Sequence, residues 1–306
     1  MMEILKKTNI DFMGKRNIAF MISGVLVFLG LLAVVWIMIG SANLGIDFSG
    51  GTAVQLKFDR ALPIEDARQA LEKHGLGDAE LQEFTEDQKL LIRVKTGHTI
   101  EEEVGDTIIR AFEVEFPNHA FVVDSSTSIG PTIGKKLQED ALVAIVLSLV
   151  GILFYIAIRF EFRFGVAAAI ATFHDVLAVL GIYFLLNKEI TLLVVTALLT
   201  LAGYSLTDTV VVFDRIRENL RQRRRESVSD IINNGINQVL SRTLITTLTV
   251  VLVLVPLTLF GGEVLHDFSL ALLLGVLIGT YSSVFVASPL LLIWPSPEGK
   301  LLRKNK

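Results

Sequence analysis

Long apolar runs and one alternating, charged stretch divide this chain into two kinds of sequence. Ile18–Ile39 holds 22 residues without a charge. At helical rise that is roughly 33 Å, enough to cross the hydrocarbon core of a bilayer. Five further apolar spans follow, at Ala141–Ile158, Phe164–Leu186, Ile190–Phe213, Thr243–Gly261 and Phe268–Trp294. Together they predict a polytopic α-helical membrane protein with six transmembrane helices. The first run is too long for the apolar core of a cleaved signal peptide, about 7–15 residues, although Ser41-Ala42 follow it, so it reads as a retained helix.

Asn43–Gln138 is different in kind. No run there could span a membrane, and 17 acidic residues stand against 10 basic ones. Thr52–Phe58 alternates like a strand, and Pro63–His74 reads as a helix with Pro in its first turn and Gly75 ending it. Glu80–Phe84 and Leu90–Lys95 read as strands joined by the polar turn Thr85-Glu86-Asp87-Gln88. A helix from a Thr99 cap to Phe116 follows, and then a strand over Ala120–Ser125. The order β-α-β-β-α-β predicts one α+β, ferredoxin-like domain over residues 43–138, between the first and second spans. That fold serves many functions and by itself assigns none.

Charge gives the topology. The chain has 306 residues, 52% hydrophobic, with a mean hydropathy of +0.58 and a net charge of −4. Lys6, Lys7, Lys15 and Arg16, then Arg159 and Arg163, then Arg215 to Arg225, and finally Lys300, Arg303, Lys304 and Lys306 flank one set of helix ends, whereas the opposite short loops hold only Lys188. The positive-inside rule therefore predicts a cytoplasmic N-terminus (1–17), a basic cytoplasmic loop (214–242), a cytoplasmic tail (295–306) and an extracytoplasmic domain. The dense run Arg215–Arg225 reads as a topology anchor beside anionic lipid or as a partner contact, and not as a nucleic-acid site. The chain has no cysteine, which excludes disulfides, thiolate metal sites and cysteine nucleophiles.

Polar residues inside the spans are the candidate chemistry, because a charge at membrane depth costs several kcal/mol unless it is partnered or hydrated. His174-Asp175 lie near the middle of the third span. In the fourth, Thr200, Tyr204 and Asp208 share one row, with Ser205 a turn before Asp208. In the fifth, Arg242, Thr246 and Thr249 share a face. Asp208 lies 17 residues from Thr191 and Arg242 lies 17 residues from Leu259, each roughly 26 Å from the outer end of its span. Carboxylate and guanidinium therefore arrive at one depth and can pair if those helices pack together. A static buried pair would stabilise poorly, whereas a pair that breaks and remakes suits a proton relay. Gly275-Val-Leu-Ile-Gly279 is a small-xxx-small pattern for close helix contact. The signatures HExxH, GxSxG and the phosphate loop are absent, so no catalytic residue, metal site or cofactor is expected.

Several motifs together carry a resemblance. Gly45-Ile-Asp-Phe-Ser-Gly-Gly-Thr52, Gly130-Pro-Thr-Ile-Gly134, Arg159-Phe-Glu-Phe-Arg-Phe164, His174-Asp175, the run Gly203-Tyr-Ser-Leu-Thr-Asp-Thr-Val-Val-Val-Phe-Asp-Arg-Ile-Arg-Glu-Asn219, Ser241-Arg-Thr-Leu244 and Gly279-Thr-Tyr-Ser-Ser283 look like the signature of the SecD/SecF family of protein-export membrane proteins. Their order and the short external region resemble the SecF type. The resemblance implies a non-enzymatic, multi-pass protein of the bacterial inner membrane, within the resistance-nodulation-division superfamily, that uses the proton-motive force to help preproteins cross. Its implied partners are SecD, the SecYEG translocon, the translocating preprotein and, as further candidates, YajC and YidC. It also implies proton-relay roles for Asp208 and Arg242, with Asp175, His174, Ser205, Tyr204 and Thr207 around them, and a family motif at Gly45, Asp47, Gly50 and Gly51. Thr207 stands where the family often has Asn, and Phe162 where Trp is frequent. Residue chemistry alone assigns Gly45, Gly50 and Gly51 to a tight exit from the first span, and Asp47 to bonds with nearby backbone amides. The competing reading is half of a small-molecule or lipid exporter of the same superfamily, against which the small external domain speaks.

Overall fold

The computed structural model describes residues 8–84, 88–95, 101–222 and 226–293. Lys6, Lys7, most of the turn at 85–88, the Thr99 cap, the arginines at 223–225 and the tail 295–306 lie outside them. In chain order the elements are α1 (Arg16–Met38), the single turn α2 (Ile46–Ser49), β1 (Gly51–Phe58), α3 (Ile64–Lys73), β2 (Glu80–Phe84), β3 (Lys89–Lys95), α4 (Glu101–Glu115), β4 (Phe121–Ile129), α5 (Pro131–Arg159), α6 (Phe162–Leu185), α7 (Leu192–Gln222), α8 (Val228–Phe260), α9 (Gly262–Ser282), a π-helical turn (Ser283–Ala287) and α10 (Ser288–Ile293). Among the described residues six helical stretches are long and apolar enough to cross a membrane. The described residues form two compact units: one holds 43–144 together with 189–192, and the other holds the remainder.

The smaller unit is a four-stranded antiparallel sheet in the order β2-β3-β1-β4. Alternation on β1 sends Val54, Leu56 and Phe58 to one face. There, with Leu90 and Ile92 of β3, they pack on Ala67 and Leu71 of α3 and Ile108 and Phe112 of α4. β4 runs four residues beyond the expected Ser125, because Ser126, Thr127, Ser128 and Ile129 continue the ladder with β1 past a register shift at Gln55/Leu56. Its alternation is hidden in the sequence because Asp124–Ser128 lies on an exposed edge where no face demands apolar residues. At the start of β1, Gly50 has φ 72° and Gly51 φ 139°, and a side chain on Gly51 would overlap the Val94 carbonyl.

In the helical unit a single stripe explains why two helices outrun their apolar spans. Val194, Leu198, Leu201, Ser205, Val212, Ile216 and Asn219 are buried along α7, so the helical period continues past Phe213 into the charged run. Ile231, Ile232, Gly235 and Ile236 do the same for α8, which starts where Ser227 Oγ accepts the Asp230 amide at 3.1 Å. The stretch 214–242, expected as a basic loop, is therefore helical over 214–222 and 228–242. Ile216 of α7, and Ile232 and Ile236 of α8, meet in one core with Phe160, Phe164 and Phe213. Charges close its rim: Arg159 pairs with Asp214, Arg217 with Glu161 at 2.9 Å, and Arg215 with Glu218 at 2.5 Å.

An unexpected strap lies at the N-terminal end. Asn233 and Asn237 of α8 present their amides to the segment before α1. Asn237 Oδ1 accepts the Ile10 amide at 2.9 Å, Asn237 Nδ2 donates to the Ile10 carbonyl at 2.9 Å, and Asn233 Oδ1 accepts the Phe12 amide at 2.8 Å. Two side-chain amides one turn apart thus act as a strand edge for an extended segment.

Candidate functional site

Among the buried polar side chains of the helical unit are His174 and Asp175 of α6, Ser205 and Thr209 of α7, Ser282 at the end of α9 and Ser283 in the π turn. Burial of this kind is tolerated only when the groups satisfy one another. Asp175, with no exposed surface, does so completely. Its Oδ2 accepts the hydroxyls of Ser205 and of Ser282, the latter at 2.8 Å, and its Oδ1 lies 2.9 Å from His174 Nδ1. The partners come from three elements, so Asp175 ties α6, α7 and α9 together.

Small residues make that convergence possible. A Cβ at Gly275 would overlap the Leu201 side chain, and one at Gly279 would lie 3.1 Å from Ser205 Cβ. The π turn places Ser283 to bond Thr209 at 3.1 Å, and Ser288 Oγ donates to the Ser283 carbonyl at 2.7 Å. The widened turn thus has its own hydroxyl partner.

His174 has one unspent atom. Nδ1 faces Asp175, while Nε2 is buried without a partner. Its ring lies 6.5 Å from that of Tyr281, whose hydroxyl donates to the Ala19 carbonyl of α1 at 2.8 Å and meets Ser23 Oγ at 3.2 Å.

Asp208 sits one turn beyond Ser205 and is half-buried. Ser283 and Thr243 turn hydroxyls toward its carboxylate, and Arg242 lies within electrostatic reach. Even so, Asp208 Oδ2 and Thr243 Oγ1 are both buried with no hydrogen-bond partner. The site thus contains one filled carboxylate shell, at Asp175, and one open one, at Asp208. An open acceptor beside the unspent Thr243 hydroxyl is an atom that can receive a proton or an incoming donor.

The remaining expected residues are dispersed. Arg242 is exposed and makes no ion pair with Asp208 within 4.0 Å; the inward side of α8 carries Thr243 and Thr247 instead. Equal depth gave these two groups no shared azimuth. Thr246 and Thr249 turn outward with Arg242 and donate to carbonyls of their own helix, at 2.8 Å to Thr243 and 2.7 Å to Thr246 respectively. Thr200 and Thr207 are likewise exposed and bond Thr196 and Gly203, so the Thr207 hydroxyl is spent away from the carboxylate. Tyr204 is half-buried, with its hydroxyl toward Thr247. Residue chemistry alone does not single out Ser282 and Ser283, which the sequence shows only as part of the motif Gly279–Ser283; a polar pair at the end of a glycine-spaced helix is the available signal.

The glycine motif has its own geometry inside the smaller unit. The Gly45 amide donates to the Ile190 carbonyl at 3.0 Å, and the Ile190 amide donates to Asn43 at 2.9 Å. Asp47 does not bond neighbouring amides, as its position after a glycine predicts. Its Oδ2 accepts the amide of Leu192, the first residue of α7, at 2.9 Å. The reason is that residues 189–192 run as a short parallel partner of the motif, which brings that amide within reach.

Comparisons with known proteins agree with one another. A family model described as "Protein export membrane protein SecD/SecF, C-terminal" matches residues 111–296, and one described as "SecD/SecF GG Motif" matches residues 42–61. The protein translocase subunit SecF of Thermodesulfovibrio yellowstonii is 50% identical over 295 residues, covering 96% of this chain and 97% of that protein. That of Magnetococcus marinus is 43% identical, covering 96% and 94%. The crystal structure of SecDF, a translocon-associated membrane protein from Thermus thermophilus, is similar at a TM-score of 0.80 and 35% identity over 94% of this chain. The match covers 39% of that SecDF chain, so this chain spans about two fifths of it.

Proposed function

Because the chain belongs to the SecD/SecF family of protein-export membrane proteins, we propose that it serves as the SecF-type subunit of a protein translocase and that a proton passes through the polar site between α6, α7, α8 and α9. In this reading it works in the cytoplasmic membrane with a SecD chain. SecYEG and the translocating preprotein are its further partners, with YajC and YidC as candidates, and both of its termini are cytoplasmic. The smaller unit is extracytoplasmic, and its element and sheet order support a ferredoxin-like assignment.

The observation that carries the reading is the pairing of a saturated carboxylate with an unsaturated one. Asp175 has all its donors, whereas Asp208 Oδ2 is buried without one. A static structural carboxylate would have no reason to leave an acceptor open in a low-dielectric interior. A carboxylate that takes up and releases a proton needs that opening. Arg242 offers Asp208 an alternative partner, and its exposure at membrane depth fits a helix face that a SecD chain covers.

The test is Asp208→Asn in inverted membrane vesicles, with preprotein export measured with and without a proton gradient. The gradient-stimulated part of export is expected to vanish while the gradient-independent part persists. Unchanged stimulation would remove Asp208 from the relay. Export that is unaffected when the whole chain is left out of the vesicles would favour the small-molecule exporter.

A further inference from the structure

The connection between α6 and α7 carries a buried acid that the relay does not use. Glu189 follows Lys188, and only 7% of its side chain is exposed. It belongs, with Ile190, Thr191 and Leu192, to the smaller unit. One oxygen, Oε2, lies 3.3 Å from Arg93 Nη1 of β3, whose side chain is 13% exposed. The other, Oε1, is buried with no hydrogen-bond partner.

The Glu189 carboxyl interacts with another carboxyl, Glu80 of β2, which stands opposite Arg93 in the β2–β3 ladder. Two carboxylates present only acceptors to each other, so the contact is satisfied only when one proton sits between them. The cations around the pair are Arg93 and Lys95, both on β3. Lys95 serves the Glu80 side of the pair, bonding Glu80 at 2.7 Å and also the Asn43 side chain at 2.8 Å, and Arg93 serves the Glu189 side. Lys188, on the connection itself, pairs with Asp267 at 3.4 Å.

We infer that Glu189 and Glu80 hold one proton between them and act as a proton-binding latch that fastens the α6–α7 connection, and with it the first residue of α7, to the sheet. Geometry supplies the rest of the fastening: the Ile190 amide on Asn43, the Gly45 amide on Ile190 and the Leu192 amide on Asp47. Burial, followed by contact with Glu80, pushes Glu189 up to about 8. In Glu80 burial is outweighed by its bonds to Glu189 and Lys95, so it is lowered. One acid of the pair is thus the proton's host and the other its acceptor.

The sign follows from linkage. The latched form keeps the proton up to about pH 8, and the released form loses it near the ordinary Glu value of about 4.3. The latch is therefore firmest in acid and weakens as pH rises between those values. The side of the membrane on which that matters rests on the topology proposed above, and the latch itself does not.

Hydrogen exchange tests it on the full chain with its SecD partner in lipid nanodiscs. After correction for intrinsic exchange, protection of the 189–192 amides is expected to fall by up to about tenfold per pH unit between about pH 5 and pH 8, and to level off above. Glu189→Gln, which donates to Glu80 at every pH, is expected to give a flat, protected profile. A native profile as flat as that of Glu189→Gln would overturn the latch. So would protection that rises with pH or is lost in Glu189→Gln, since the Arg93 ion pair would then be the fastening. No proton gradient enters the measurement, so its failure leaves the export reading standing, and failure of that reading leaves the latch testable.

Discussion

The carboxylate of Asp47 accepts the backbone amide of Leu192 at 2.9 Å, across 145 positions of chain. Within the smaller unit, a motif that follows the first apolar helix thereby bonds Leu192, the residue at which α7 begins. The cap places a negative group at the amide end of α7, where it also meets the helix dipole favourably.

Removing that cap has a predictable cost. Asp47→Ala is expected to destabilise the chain by about 1 kcal/mol, and Asp47→Asn, which keeps an acceptor oxygen, by about half of that or less. Ranking the thermal midpoints of the three chains in one detergent checks it. Equal midpoints for Ala and the native residue would mean that water replaces the cap.

Asp175 is expected to be far less tolerant. Asp175→Ala would strand the buried Ser205 hydroxyl and a histidine nitrogen and leave Ser282 only the Gly279 carbonyl, at a cost of about 3 kcal/mol or more. The variant should accumulate poorly and unfold early on heating. Restored accumulation with Asp175→Asn would show that the acceptors, not the charge, hold the three elements.

Packing at the glycines separates two positions that look alike in sequence. Gly275→Ala forces Leu201 to move and is expected to cost about 1–3 kcal/mol. Gly203→Ala meets nothing within 4 Å and is expected to be neutral or to stabilise by up to about 1 kcal/mol through helix propensity. Thermal midpoints of both variants give the comparison, and a Gly203→Ala loss as large as that of Gly275→Ala would contradict the packing.

The asparagine strap makes a local prediction. Asn233→Ala with Asn237→Ala removes the bonds to Ile10 and Phe12 while leaving the apolar face of α8 untouched. Exchange or limited proteolysis at residues 8–13 should rise by about tenfold or more, with the rest of the chain unchanged.

Much of this architecture was legible from period alone. Period two in Thr52–Phe58 and the long apolar runs located strands and spans because burial on one face, or on all faces, leaves a local trace. What failed to show was always non-local or rotational. Helical rise put Asp208 and Arg242 at one depth, but only packing decides which way each turns, and Thr243 took the inward place. The charge of Arg215 and Arg217 hides a buried stripe through Ile216 and Asn219, so the pattern predicts a loop where the helix continues. Glu189 and Asp47 stood in plain view, yet their partners lie on strands and helices far away in sequence.

The widened turn at Ser283–Ala287 has a consequence for length. A π turn carries one residue more than the α-helical turn it replaces, so α9 and α10 are out of step by about 100°. Leu290, Leu291 and Leu292 pack on the core in that phase. Deleting one residue there would restore regular pitch and swing all three away from their places. A membrane span is usually forgiving of its residue count, but this one is counted to the residue.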